Sequence, residues 1–253
     1  MLSRQPSKPC VFMHVPKCGG TSVSEALYAT VPMHRRVGVI DANSTRRATA
    51  LIHADRNEQF LYHDDFANGA EVYKLRESQL LTHMAWDTEL IHGHILFSSK
   101  VHRHFGDQYQ FITLLREPVE RTLSNFLGSA RGGMIDNDLD AYLHSEIFRV
   151  HGLSMLRYFS GMHPIAPEQE QAALDTAKQN MALFSIIGFL DDLDDFERQF
   201  QVKFGKHPKI FRYNQSQVKH PSLTPEQQSR INDVLAPELE LWAHALATYK
   251  RRV

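Results

Sequence analysis

Three groups of residues in this sequence have the types and the spacing that chemistry needs. The first is Pro16-Lys-Cys-Gly-Gly-Thr-Ser22, which follows the apolar run Cys10–Val15 and leads into a helical pattern over Thr21–Ala29. A turn of this kind aims several backbone N–H groups and the positive end of a helix dipole at one point, an arrangement that holds a phosphate. Gly19 and Gly20 let the backbone approach closely, Thr21 and Ser22 offer hydroxyl donors as well as a cap, and Lys17 adds a charge at the loop's mouth. The plainer alternative is a strand-to-helix turn with an N-capping Thr. The loop is not of the ATP type, in which Lys follows the last Gly of G-x-x-x-x-G-K-[ST]. Here Thr21 stands where that Lys belongs and Val15 where the first Gly belongs. A Lys ahead of the glycines reaches a different part of a phosphate chain.

The second group is Arg116 with Ser124, one at the end of the apolar run Tyr109–Leu115 and the other two turns along the helical pattern Pro118–Leu127. An Arg fork and a hydroxyl at this spacing suit one anion. The alternative is a surface ion pair of Arg116 with Glu117 or Glu120 and a solvent-facing serine. The third group is His92-Gly-His94, which ends a short apolar strand between the other two groups. Alternate residues of a strand share a face, so both imidazoles are expected to turn toward one cleft. Histidine is the natural proton acceptor near neutral pH; the alternative is two part-buried rings bonded to backbone. A zinc site from His92, His94, His102 and His104 is disfavoured, because H-x-H twice is no usual zinc spacing and neither Cys nor H-E-x-x-H supports it. His14, just ahead of the loop, reads as a core or loop-supporting residue.

Phe12-Met-His-Val-Pro-Lys-Cys-Gly-Gly-Thr-Ser22 resembles the 5′-phosphosulfate loop of sulfotransferases that use 3′-phosphoadenosine 5′-phosphosulfate (PAPS). It is most similar to the carbohydrate 2-O- and 6-O-sulfotransferase branch, with its H-x-P-K-T-G-G-T-S. Leu115-Arg-Glu-Pro-Val-Glu-Arg-Thr-Leu-Ser-Asn-Phe126 resembles the family's 3′-phosphate motif L-R-[DN]-P-x-x-R-x-x-S-x-[YF], and His92-Gly-His94 the H-G-H of the uronyl 2-O-sulfotransferases. Cys18 departs from the usual Thr, and Glu117 from the usual Asp or Asn. The resemblance implies a donor held by Pro16, Lys17, Cys18, Gly19, Gly20, Thr21 and Ser22 at one end and by Arg116 with Ser124 at the other. It implies His94 as base with His92 in support, Lys17 offsetting charge on the departing phosphate, 3′,5′-adenosine bisphosphate (PAP) as product, no metal, and a hydroxyl acceptor, with a carbohydrate favoured. Arg121 matches the motif in a partly structural role. Ser185–Phe196 matches the segment near the adenine, and Asn214 a late strand end. An ATP-dependent phosphotransferase and a nucleotide-binding module without catalysis are the competing readings.

These groups need a frame. Cys10–Val15, Tyr109–Leu115 and Ser185–Leu190 are short apolar runs, each followed by a helical pattern, the last over Asp191–Phe204, which argues for a parallel sheet flanked by helices. Weaker strands are expected at Glu89–His94 and Lys209–Tyr213, and helices at Thr45–Ala54, Leu139–Val150, Pro167–Phe184 and Thr224–Thr248, the last opened by an N-cap Thr and an N1 Pro. Acidic Asp191–Asp195 reads as a helix first turn rather than a metal site. With 253 residues, 42% hydrophobic and 23% charged, the chain has enough for a sizeable core, and no linker divides it, so 1–253 is read as one α/β domain of P-loop type. Pro32–Ala85 and Arg131–Met162 match nothing recognisable and are expected to build the acceptor site. Lys+Arg 28 against Asp+Glu 29 disfavours a nucleic-acid partner and a long sulfated polymer. No signal peptide or membrane-spanning run is seen, so a cytoplasmic location is expected, with Cys10 and Cys18 reduced.

Overall fold

The computed structural model describes residues 8–58, 69–211 and 222–250. A five-stranded sheet in the order β2-β3-β1-β4-β5 forms its centre, and every neighbouring pair is parallel. The elements run β1 (Cys10–Met13), α1 (Gly20–Tyr28), β2 (Val37–Ile40), α2 (Ala42–Ala54), α3 (Gly69–Ala85), β3 (Leu90–Gly93), α4 (Ser99–Phe105), β4 (Gln110–Leu115) and α5 (Pro118–Arg131). Then come α6 (Leu139–Leu143), α7 (Glu146–Gly152), α8 (Ser154–Ser160), α9 (Glu170–Met181), β5 (Ile186–Phe189), α10 (Leu193–Phe204) and α11 (Pro225–Tyr249). The expected parallel α/β architecture is the one found.

The strands at the middle of the sheet are continuous apolar runs because both faces are covered. Val11, Met13, Ile91 and Phe111 pack on one face with α8, α9 and α11, while Phe12, Leu90, Ile112 and Leu114 pack on the other with α1 and α10. Edge strand β2 instead alternates exposed and buried residues. A third cluster joins α5, α6 and α7 to the start of α11 through Leu123, Phe126, Tyr142, Phe148, Ile231 and Leu235. Helix α11 begins as expected: the Thr224 hydroxyl accepts from the Gln227 N–H, Gln227 answers, and Pro225 takes the first helical position.

Several expectations are corrected. Lys209–Phe211 forms no strand, and the rest of that run, with Asn214, lies outside the described residues. The Leu139–Val150 helix is two, because Ser145 caps a fresh start by accepting from the Phe148 N–H. Pro167–Gln169 is a 3-10 turn before α9. Strand β2 and helices α3, α4 and α8 add to the elements expected from the sequence. Among the described residues, no helix is long and apolar enough to cross a membrane.

Candidate functional site

A cavity of about 1150 Å³ opens at the carboxyl ends of the strands, where open parallel sheets bind ligands. Every strand sends a residue to it: Ala42 beyond β2, His94 beyond β3, His14 and the Pro16–Ser22 loop beyond β1, Arg116 beyond β4 and Leu190 beyond β5.

The loop is held open by two left-handed residues, Lys17 at φ 64° and Gly19 at φ 75°. Gly19, not Thr21, is the N-cap of α1, and among the described residues no side chain caps that helix. The first-turn N–H groups of α1 therefore meet the cavity without a capping oxygen, and Gly20, Thr21 and Ser22 line it. The Lys17 side chain crosses to α5, where a Cβ on Gly128 would fall 2.3 Å from its Nζ. Burial, then the charge of Arg131, holds the Lys17 ammonium below the usual lysine range. Cys18, alone of the loop residues, does not line the cavity: its thiol is buried in the apolar core, donates to the Pro16 carbonyl, and is pushed by burial up to about 12.

Arg116 and Ser124 line the same cavity as the loop. Arg116 also faces Glu120 at 3.4 Å, so the ion pair and the cavity position coexist. A guanidinium pairing this long is at the limit of a hydrogen bond and yields readily to a better anion. Arg121, the other arginine of that segment, is fully buried and away from the cavity. It donates to the Gly152 carbonyl at 2.6 Å and pairs with Glu238 at 3.1 Å. Glu238 in turn accepts the Met155 and Leu156 N–H groups at 2.7 and 2.8 Å, so one carboxylate ties α5, α8 and α11 together.

The two histidines of the third group take different partners. His94 lines the cavity, whereas His92 does not. His92 Nδ1 shares a 2.6 Å hydrogen bond with the Tyr28 hydroxyl, and burial lowers its pKa against the opposing pull of Asp41. His94 is braced from three directions: Nδ1 meets the Tyr158 hydroxyl at 3.3 Å, its carbonyl accepts from Arg76 at 3.0 Å, and its ring stacks on His14 with centroids 4.3 Å apart. Arg76 is itself buried, donating also to Thr45 Oγ1 at 2.9 Å and lying over the Tyr73 ring. His102 packs against Phe97 and Phe111 on α4, remote from this group in its contacts. Among the described residues no three His, Cys, Asp or Glu side chains group as metal ligands.

His14, read as a supporting residue, proves to line the cavity. Burial, then His92 and Lys17, lowers its pKa to about 3, so it is neutral at ordinary pH. Arg76, Tyr158 and His151 on the wall carried no motif. The far wall is apolar, with Leu190, Leu193, Ile210 and Phe211, and Trp242 and Leu246 of α11 also reach the cavity.

No family model matches the chain, and no curated protein does. Among solved structures it is similar to a sulfotransferase from Alicyclobacillus acidocaldarius, with a TM-score of 0.51 and 14% identity over 98% of each chain. A structure from the PezAT chromosomal toxin-antitoxin system of Streptococcus pneumoniae matches at a TM-score of 0.41 and 12% identity, covering 96% of this chain and 91% of that one. The parallel sheet, its flanking helices and the cavity at its carboxyl edge are thus set in a fold shared with a sulfotransferase.

Proposed function

We propose that this chain transfers the sulfuryl group of PAPS to a hydroxyl acceptor, a carbohydrate in the favoured case. The observation that carries the reading is the convergence on one cavity of an uncapped helix start, Lys17, Arg116, Ser124 and His94. The Pro16–Ser22 loop takes the 5′-phosphosulfate, Arg116 and Ser124 take the 3′-phosphate, and the apolar wall at Leu190 and Leu193 takes the adenine. In transfer the bond between sulfur and the phosphate oxygen breaks as the bond from sulfur to the acceptor oxygen forms. Demands on the protein resemble those of phosphoryl transfer: position, charge stabilisation and a base.

His94 is the base. With Nδ1–H donating to the Tyr158 oxygen, the lone pair of Nε2 receives the acceptor proton. Lys17 offsets charge that develops on the leaving phosphate oxygen, where a fixed cation lowers the barrier. These cations are side chains, so the scheme calls for no metal. His92, held by Tyr28, supports the strand end that presents His94. We assign the protein to the cytoplasm, where its separate buried thiols, Cys10 and Cys18, stay reduced.

The test pairs thermal shift with transfer. PAP is expected to raise the melting temperature without added metal, and labelled PAPS to mark at least one member of a panel of glycans, phenols and lipids, read by mass. Protection by ATP with Mg2+ and not by PAP overturns the reading in favour of phosphoryl transfer; PAP binding with no product on any acceptor favours a binding module.

A further inference from the structure

We propose that His14 is a positioning residue that couples occupation of the donor loop to the orientation of His94. The inference rests on the functional reading above and adds a residue to which that reading gives no role. His14 touches both halves of the site. Its ring lies so close to α1 that a Cβ on Gly20 would fall 2.0 Å from His14 Nε2, and Gly20 is the first residue of the helix turn that faces the donor. On its other side the ring stacks on His94 at 4.3 Å and 29°. The remaining rings of the group stand further off, Phe12 at 5.9 Å and His92 at 6.0 Å from His14. The backbone reinforces the link, because the His14 N–H donates to the carbonyl of Gly93, the residue before His94, at 2.9 Å.

A flat ring wedged between a helix start and a second ring transmits small displacements, since packed side chains at contact distance have little room to yield. A phosphate drawn onto the first turn of α1 therefore presses, through Gly20 and His14, on the face of His94. The intermediary must also be uncharged, because His94 gains a proton during transfer and a cation stacked on it would oppose that gain. Burial keeps the His14 ring neutral, so this condition is met.

The experiment compares the wild-type chain with His14→Ala, which removes the ring, and His14→Phe, which keeps a flat face. Histidine ring resonances are followed by NMR during titration with PAP, with the His94 signal identified by its loss in His94→Gln, and PAP affinity is measured by calorimetry. PAP is expected to move the His94 signal in the wild type and in His14→Phe but not in His14→Ala, while all three bind PAP within about threefold of one another. In turnover, His14→Ala is expected to lose about 10–100-fold in kcat with acceptor KM nearly unchanged, the scale of a small misplacement of a reacting group. His14→Phe recovers about tenfold of that loss, as restored ring contact should. An unmoved His94 signal in wild-type chain that binds PAP, or an equal shift in His14→Ala, overturns the coupling alone. Failure of the wild type to bind PAP overturns the functional reading and the coupling with it.

Discussion

Gly20→Ala places a methyl group where His14 already stands, and its effect can be worked out from the structure. The added Cβ would lie 2.0 Å from His14 Nε2, 2.1 Å from Cδ2 and 2.3 Å from Cε1, all in a ring that cannot fold away. Non-bonded contacts settle near 3.5–4.0 Å, so ring and helix must part by roughly 1.5 Å. Overpacking of this kind costs about 1–3 kcal/mol. Against that, Gly20 is a helical residue with no positive φ, and replacing Gly by Ala in a helix stabilises by up to about 1 kcal/mol. The net expectation is a loss of about 0–3 kcal/mol in the wild-type background. In His14→Ala the obstacle is gone and only the helix gain remains, so the same substitution is neutral or stabilising there. The double-mutant cycle, read by urea unfolding, should give a coupling of about 1–3 kcal/mol, well outside the ~0.5 kcal/mol scatter of independent sites. Gly132→Ala serves as the control, since its nearest neighbour would be an ordinary 3.4 Å away. Additive effects at Gly20 and His14 would refute the contact and everything built on it.

Other consequences are as direct. Glu238→Gln leaves the buried Arg121 charge without its partner, at a cost of about 3–5 kcal/mol, or about 6–20 °C in melting temperature for a chain of this size; a shift under 2 °C by calorimetry, about what 1 kcal/mol produces, would show the pair to be idle. Lys17 titrates below the usual lysine range in the free protein. A bound polyanion favours its charged form and raises that pKa, so at alkaline pH binding takes up a proton. Calorimetry of PAP binding in buffers of different ionisation enthalpy should show this uptake, and Lys17→Met should abolish it; uptake that persists in the variant refutes the assignment. Arg116→Ala and Ser124→Ala should weaken PAP by about 10–100-fold, the scale of a hydrogen bond to a charged group, while leaving adenosine 5′-phosphosulfate binding little changed. Equal losses for both ligands would remove the 3′-phosphate from Arg116 and Ser124.

The sheet was legible where its strands are buried on both faces. Cys10–Met13, Gln110–Leu115 and Ile186–Phe189 stand out as apolar runs because helices cover both sides of each. Strand β2 carries no such mark because, unlike β5 at the other edge, one of its faces is uncovered: Val37 and Val39 face outward while only Gly38 and Ile40 are buried, so no continuous run appears. Helix α3 is unmarked for a different reason. Its buried stripe runs Val72, Tyr73, Arg76, Leu80 and Met84, and the central member is an arginine. A charge in the middle of an apolar stripe erases the periodic signal that betrays an amphipathic helix.

That arginine also explains why half of the candidate site was invisible in the sequence. Residues that touch a phosphate must bring N–H groups, hydroxyls and cations to one point, and they come from a single loop or a strand-to-helix corner, so their spacing is local and readable. The segments proposed for the donor's phosphates, Lys17 to Ser22 and Arg116 to Ser124, have this local spacing. The residues that orient His94 face no such restriction. Tyr158 arrives from α8, Arg76 from α3 and His14 from the end of β1, each fixed by packing between elements far apart in the chain. Reactive groups facing a ligand's charge thus leave local marks, whereas their supports obey only tertiary geometry. Of the two histidines in His92-Gly-His94, strand alternation alone turns both toward one cleft; what separates them is that Tyr28 on α1 claims His92 and Tyr158 on α8 meets His94 at the cavity. Tyr28→Phe, by freeing His92 without touching the cavity, should therefore leave transfer by His94 intact; a loss in kcat beyond about tenfold, large on the scale of general-base catalysis, would move the base to His92.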